Sequence, residues 1–393
     1  MKILWVKSDF LHPTTKGGHI RTLGILKQLH ARHEIHYVAL DLADQPGGFE
    51  RSSEYSATAY PIAHRSPSHA SPRFLLQAAS NIFSEFPLSV ARYTSDAMKR
   101  QVSELIAFEK FDAIVCDFLF AASNIADLSR ATLFQHNVEA QILHRRIEHT
   151  SNAIERVFLH TQHEKLRRYE REVCRAVKRI VAVSEEDAET MRADYGAPYV
   201  RSVPTGVDID YFRPPDEVER SPNLVFVGSM DWSANVDGIQ WFVAEILPRI
   251  RQRLPDCFFT IAGRRPGAAT RKIAEDYPHI RVTGTVDDVR PYLWGSAVSI
   301  VPLRIGGGTR LKIFESMAAR VPVVSTTIGA EGLHVSNGEN IRIADAPEDF
   351  ADRCIELLSD PAARCRLASS AWEMVTACYS WEVVSRKFEE CLI

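Results

Sequence analysis

Short β-branched runs alternate with longer helical patterns along this chain, and the alternation starts twice. Lys2–Val6 reads as a strand, the stretch from about His19 to Ala31 as a helix, and Ile35–Leu40 as a second strand. "DAIVCD", "ATLFQH" and "RIVAVS" continue the pattern, each trailed by a polar or helical stretch. Such a rhythm specifies βαβ units, and therefore a parallel sheet covered on both faces. It breaks at "VPTGVDIDYFRPPDEVERSPN" (203–223), where Pro204, Pro214, Pro215 and Pro222 suit neither a helix nor a strand interior. It then restarts with a strand at "NLVFVGSM" and a helix over "VDGIQWFVAEILPRIRQRL". Strands at "CFFTIAG" and "IRVTG", a helix over "VDDVRPYLW", and strands at "AVSIVPL" and "VPVVSTT" complete it. Helical patterns close the chain from about Glu348 to Leu392. The expectation is two α/β domains of similar size joined by one linker, and 393 residues suffice for both.

Composition narrows the class. Hydrophobic content of 45% with 25% charged residues fits an ordinary globular protein, and a net charge of -3 gives no reason to expect nucleic acid. The seven cysteines are scattered and form no C-x-x-C pair, so they read as reduced thiols of a cytoplasmic protein, mostly in the core. "MKILWVKSDF" reads as a first strand and not as a signal peptide. The most apolar window, "AIVCDFLFAASNIA", is broken by Asp117 and is too short to span a bilayer, which leaves peripheral membrane contact open. "HRRIEHTSNAIERVFLHTQHEKLRRYEREVCRAVKR" is basic and helical. Such a helix can lie on anionic lipid, but it more often presents a solvated face with internal ion pairs, the reading adopted for this segment.

In open parallel sheets, ligands bind beyond the carboxyl ends of the strands, so two such domains facing each other make a cleft between those ends. Gly17 and Gly18, in "HPTTKGGHIRTLG", open a helix after the first strand, where backbone N–H groups can approach a phosphate or sugar. The bland reading is a tight strand–helix turn. No Gly-Lys-Ser/Thr occurs, so this is not a Walker loop, and the dinucleotide fingerprint is incomplete. His136, Asn137 and Glu139 end the strand "ATLFQH", and His136 is placed to bond a substrate hydroxyl or carry a proton. Asn137 and Glu139 suit a helix cap better. Asp208 and Asp210 form an Asp-x-Asp pair, but in a Pro-rich stretch with no further ligand cluster, so no metal site is expected.

The stretch "VPLRIGGGTRLKIFESMAARVPVVS" carries the strongest signal. Gly306, Gly307 and Gly308 run into a helix opened by Thr309, Arg310 and Lys312. On a wheel of about 100° per residue, Ile313, Phe314, Met317 and Ala318 form the apolar side, and Lys312, Glu315 and Ser316 the polar side. Arg310 falls on the apolar side, but in the first turn. A helix N-terminus offers unpaired N–H groups and its positive dipole end, and two added cations make a site suited to a diphosphate.

The segment "GGGTRLKIFESMAARVPVVSTTIGAEGL" resembles the donor-site segment of glycosyltransferase family 4, retaining enzymes of the GT-B fold. The likeness extends through "HPTTKGGHIRTLG", "VAVSEEDAETM", "VPTGVDIDYFRP", "FVGSMDWSANVDGIQWFVAEILP", "VTGTVDDVRPYL" and "YSWEVVSRKFEE". It implies two Rossmann-like domains facing across a cleft: an acceptor-binding domain over 1–206, a linker over 207–222 and a nucleotide-sugar domain over 223–376. A terminal helix over 377–393 would return to the first domain. It further implies that Glu315, the second acid of the family's E-x7-E motif, bonds the donor ribose, while the first acid is replaced by Gly307. Gly228 and Val286 fall on the family's diphosphate and base loops. His136 matches the cleft histidine that contacts the donor sugar or supports the reacting face. The family's two diphosphate cations are missing at Ser229 or Met230 and at about Asn235. Arg310 and Lys312, with Arg264 as a third candidate, are expected to supply that charge instead.

The expected activity is metal-independent, retaining transfer of a sugar from a nucleoside-diphosphate sugar to a saccharide or lipid-linked acceptor. Same-face attack would be assisted by the departing phosphate. The expected setting is cell-surface polysaccharide or glycoconjugate assembly, in the cytoplasm or at the inner face of the membrane. The donor is a substrate and no cofactor is expected. A GT-B-like sugar-nucleotide epimerase and a non-catalytic sugar-nucleotide binding protein stay open as alternatives. A nicotinamide dehydrogenase is disfavoured by the incomplete fingerprint.

Overall fold

The computed structural model describes residues 1–393 apart from 15, 43–46, 68–70, 149, 151, 219 and 306–310. The chain forms two compact units, Met1–Pro204 with Val384–Ile393, and Thr205–Val383. Each is built on one parallel sheet, as the double βαβ rhythm requires.

The first sheet contains β1 (Lys2–Lys7), β2 (Glu34–Leu42), β3 (Thr58–His64), β4 (Ala113–Asp117), β5 (Ala131–Gln135), β6 (Arg179–Ala182) and β7 (Val200–Ser202), in spatial order β3-β2-β1-β4-β5-β6-β7. Its central strands are buried on both faces and read as unbroken apolar runs. Leu4, Val6, Ile114, Cys116, Leu133 and Ile180 form one core with the covering helices. The edge strand β3 alternates exposed and half-buried residues and carries Pro61. An edge tolerates that proline, and half-exposure removes the apolar run that marks the central strands. The first unit also takes in most of the last helix, Trp381–Glu390. Phe388 packs its ring against Trp5 and Phe134, at centroid distances of 5.6 and 4.8 Å. Glu389 pairs with Arg32 and His33, at 2.8 Å each.

The second sheet contains β8 (Ser221–Val227), β9 (Phe259–Ala262), β10 (Ile280–Gly284), β11 (Ser296–Val301), β12 (Val323–Ser325) and β13 (Arg342–Ile343), in order β10-β9-β8-β11-β12-β13. In both sheets the chain starts in the middle, builds outward to one side, then crosses to the other. The switch therefore falls between β1 and β4 in one unit and between β8 and β11 in the other, where α/β sheets bind ligands.

Two local differences from the sequence pattern have simple causes. The single helix expected over 236–254 is divided into Ser233–Trp241, a π turn over Phe242–Ile246, and Leu247–Arg253. Pro248 has no N–H to give and its ring crowds the preceding turn, and a π turn absorbs that break. The proline-rich stretch after Pro204 is not featureless. Asp208 caps a short helix, Ile209–Phe212, by accepting from the Tyr211 N–H at 2.9 Å, and Val207 N–H donates to the Tyr379 carbonyl at 2.8 Å.

Backbone meets backbone where β8 and β9 end. A Cβ on Gly263 would lie 1.8 Å from the Gly228 carbonyl oxygen, a rigid neighbour that cannot swing aside. Gly263→Ala is expected to destabilise the protein by at least about 2 kcal/mol in urea unfolding, because a well-packed backbone must move to admit it. Wild-type stability in that variant would contradict the packing described.

Candidate active site

In the first unit, the strand ends converge on one buried carboxylate. Asp117 is the last residue of β4 and lies beside Lys7, the last residue of β1, in the sheet register. Its Oδ1 accepts from Lys7 Nζ at 2.9 Å and His136 Nε2 at 2.8 Å. Its Oδ2 accepts from Trp5 Nε1 at 2.9 Å and Thr22 Oγ1 at 2.7 Å. Burial alone would raise its pKa, but Lys7, His136 and these hydrogen bonds outweigh it and hold the group well below the usual carboxylate range. Asp117 is thus a fixed negative charge.

That charge sets the state of His136. Its Nε2–H points at Asp117, which leaves Nδ1 as an acceptor for the Arg21 guanidinium at 3.1 Å. Burial, helped by Lys7 and Arg21 and opposed by Asp117, lowers the imidazole pKa to about 4, so the ring is neutral at pH 7. Both ring nitrogens are engaged within the protein. Phe118 and Phe134 hold the ring, with centroids at 5.4 and 4.5 Å. Gly18, in the first turn of the helix Gly17–His30, brings backbone against it: a Cβ there would sit 3.5 Å from Nδ1, while Gly17 faces open space. Beside them Asp9 accepts from His19 Nε2 at 2.9 Å and pairs with Lys16 at 3.4 Å. Burial opposes its ionisation, yet His19, Lys7 and Lys16 bring its pKa down to about 2. Glu139 opens the helix Glu139–Glu148, and its N–H donates to the buried Glu170 at 2.8 Å. Burial and the Glu170 charge push the Glu139 carboxyl up to about 7.

In the second unit, Gly228 follows β8, Arg264 follows β9 and Val286 follows β10. Lys312 and Glu315 lie one turn apart on the helix Leu311–Ala318. Lys312 Nζ donates to Asn235 Oδ1 at 2.8 Å and lies over the Phe226 ring, 4.1 Å from its centroid. Asn235 Nδ2 in turn donates to the Ser229 carbonyl at 2.7 Å. A Cβ on Gly228 would fall 2.7 Å from the ammonium and 2.9 Å from Asn235 Nδ2, so glycine there keeps the place open. Arg264 Nε donates to Ser229 Oγ at 2.7 Å. Two cations thus reach the carboxyl end of β8, one from the helix after β11 and one from the loop after β9. Burial pushes the Glu315 carboxyl up to about 7, against the pull of Lys312. A hollow of about 240 Å³ at neighbouring strand ends is lined by Leu303, Arg304, Thr326, Thr327, Ile328 and Asp345. Gly306, Gly307, Gly308, Thr309 and Arg310 lie outside the described residues.

Paired cations at the switch point of a doubly wound, Rossmann-like sheet form an arrangement able to meet an anionic group. The sequence pattern described as "Glycosyltransferase Family 4" matches residues 15–211, and that described as "Glycosyl transferases group 1" matches residues 221–360. The chain belongs to glycosyltransferase family 4, has the GT-B architecture of two Rossmann-like domains, and is a glycosyltransferase. It is 21% identical over 404 residues, 99% of each chain, to an uncharacterized 44.6 kDa protein in the cps region of Klebsiella pneumoniae. It is 27% identical over 215 residues to a GDP-mannose-dependent alpha-(1-6)-phosphatidylinositol monomannoside mannosyltransferase of Mycobacterium tuberculosis. That match takes in 48% of this chain and 54% of the relative, so the chain spans about half the length of that enzyme. Its fold matches that of Anabaena Alr3699/HepE, solved in complex with UDP, with a TM-score of 0.68, 12% identity and 99% of each chain covered.

Asp117, Lys7 and Arg21 received no role from the sequence, and Asn235 entered only as the place of a missing cation. Only Asp117 left a signal, an acid ending an apolar strand run. Replacing it leaves the buried Lys7 without its ion-pair partner, so Asp117→Asn is expected to cost about 3–5 kcal/mol at pH 7. Because the folded pKa is depressed, this contribution is complete above the ordinary value of 3.8 and is lost as pH falls through the folded one. The stability gap between the two proteins in urea unfolding should therefore begin to narrow below pH 3.8 and close only as pH approaches the depressed folded value. His136 adds an earlier loss, between its ordinary 6.5 and its folded value of about 4, where only the unfolded chain takes up the proton. A pH-independent penalty would contradict the ionised state assigned to Asp117.

Proposed function

We propose that this glycosyltransferase moves a sugar from a nucleoside-diphosphate sugar to a saccharide or lipid-linked acceptor, with retention and without a metal, in cell-surface polysaccharide or glycoconjugate assembly at the cytoplasmic side. The carrying observation is the convergence of Lys312 and Arg264 on Asn235 and Ser229, two places where the family resemblance calls for diphosphate cations. Breaking the bond between an anomeric carbon and a diphosphate builds negative charge on the leaving group. Fixed cations and a helix N-terminus can meet that charge without reorganising. Lys312 takes the diphosphate, Arg264 supports it, and Glu315, one turn along the same helix, takes the ribose hydroxyls. Arg310, two positions before Lys312 in the sequence and outside the described residues, is assigned to the same group. The strand ends of the first unit carry the acceptor. His136 acts there as an oriented neutral ring, since both its nitrogens are already bonded.

A thermal-shift panel of UDP, GDP, ADP and dTDP sugars tests the donor class. GDP-mannose and the UDP sugars come first, given the GDP-mannose-dependent mannosyltransferase and the UDP complex among the similar proteins. A shift with one donor, followed by release of its nucleoside diphosphate only when an acceptor is present, is the expected result. Conversion of the sugar nucleotide alone would point to an epimerase, binding without turnover to a non-catalytic protein, and no shift would remove the reading. Lys312→Ala should lower kcat/KM by the equivalent of about 2–4 kcal/mol of transition-state stabilisation, and Arg310→Ala by a similar amount. Unchanged rates in both would refute the cation assignment.

The raised Glu315 pKa supplies a second test. A carboxylate accepts from a ribose diol, whereas a carboxylic acid near pH 6 must first lose its proton. Donor affinity, measured with an intact sugar nucleotide, should rise severalfold as pH increases through about 7. Glu315→Gln should flatten that rise, and an unchanged profile in the variant would exclude Glu315 as its source.

A further inference from the structure

The basic segment after β5 carries, besides its ion pairs, an apolar stripe that a merely solvated face does not need. The helix Ala153–Ala176 is 24 residues long and packs Leu166, Tyr169 and Val173 into the first unit's core, with Leu159 also buried. About 100° around the same helix, at 100° per residue, runs a second stripe of Ile154, Val157, Phe158 and Thr161, the first two exposed and the last two half-buried. Ile154 is 84% exposed and Val157 68%. Ile82 lies against this stripe and closes an apolar groove of about 570 Å³. Next to it Phe83 stands 92% exposed, and Leu76, on the preceding helix Pro72–Asn81, is 71% exposed. Isolated exposed apolar residues are ordinary, but a cluster of this kind marks an interaction surface.

Its surroundings are cationic. Lys165 Nζ donates to the Asn81 and Ile82 carbonyls at 2.6 and 3.0 Å, and Arg156 donates to the Thr150 carbonyl at 2.7 Å. Neither has an ion-pair carboxylate partner among the described residues. Glu155 and Glu164 are instead taken by Arg146 and His163. The helix holds six Lys and Arg against four Glu, in a chain of net charge -3.

We propose that this face docks the protein on an anionic lipid surface, with Phe83, Ile154 and Val157 entering the acyl boundary and Arg156 and Lys165 at the headgroups. Protruding apolar side chains ringed by cations fit such an interface. A second copy of the chain fits it less well, because a two-fold interface would set the same cations against one another. The proposal is independent of the donor chemistry.

The test is co-sedimentation of the full chain with phosphatidylcholine vesicles, with and without phosphatidylglycerol, at low and high salt. Binding that requires phosphatidylglycerol and weakens with salt is expected. The double variant Phe83→Ser/Ile154→Ser should bind at least about tenfold more weakly, and Arg156→Glu should lower the preference for phosphatidylglycerol. All three positions are exposed, and an unchanged thermal midpoint would show that the fold is intact. Absence of binding by the wild type, or equal binding by the double variant, would overturn the proposal. So would light scattering that shows a dimer dissociated by the double variant, with no vesicle binding.

Discussion

A carboxylate removed from water has to be met by donors, and the first unit is organised around one that collects four. Asp117 gathers Trp5 and Lys7 from β1, Thr22 from the first helix and His136 from the end of β5. Three consecutive pieces of the sheet's carboxyl edge are thereby fixed to a single charge. The orientation of His136 follows from it, because a ring that donates from Nε2 can only accept at Nδ1. Arg21 completes the chain of bonds. In a low-dielectric interior such a network is strong when every member is satisfied and costly when one is removed.

The second unit solves a different problem, bringing charge to a strand end that lacks it. Glycine does this by absence. Gly228 leaves room for the Lys312 ammonium, and Gly263 lets the β9 loop lie directly on the Gly228 carbonyl. Gly238 admits the Pro302 carbonyl, where a Cβ would fall 2.4 Å away, so the helix Ser233–Trp241 and the loop after β11 come together. Asn235 sits on that helix. The cations therefore reach the end of β8 from elsewhere because small residues let three backbones converge.

The double parallel sheet was legible from apolar runs, since strands buried on both faces have few polar residues to obscure them. The edge strands β3, β7 and β13 were not, because half-exposed strands lose that mark and the last two are very short. Asp117 was visible only as an interruption of an apolar window, although an acid closing a buried strand is also how a strand-end charge looks. Lys312 and Glu315 were readable as the polar side of a helix. The place where Lys312 ends, over Phe226 and against Asn235, depends on contacts across 77 positions of sequence and leaves no local trace. The exposed stripe of Ile154 and Val157 was hidden for the opposite reason. Helical spacing alone does not separate a stripe that faces a core from one that faces outward.

Lys312 and Glu315 are three residues apart on one helix, close enough for the ammonium to act on the carboxyl. On the proposed reading, the group for the diphosphate and the group for the ribose are therefore marks on a single rigid rod. The helix serves as a gauge of length, one turn or about 5 Å, that no loop movement can stretch. On that reading, any rearrangement of the surrounding loops would leave the backbone spacing of these two groups unchanged.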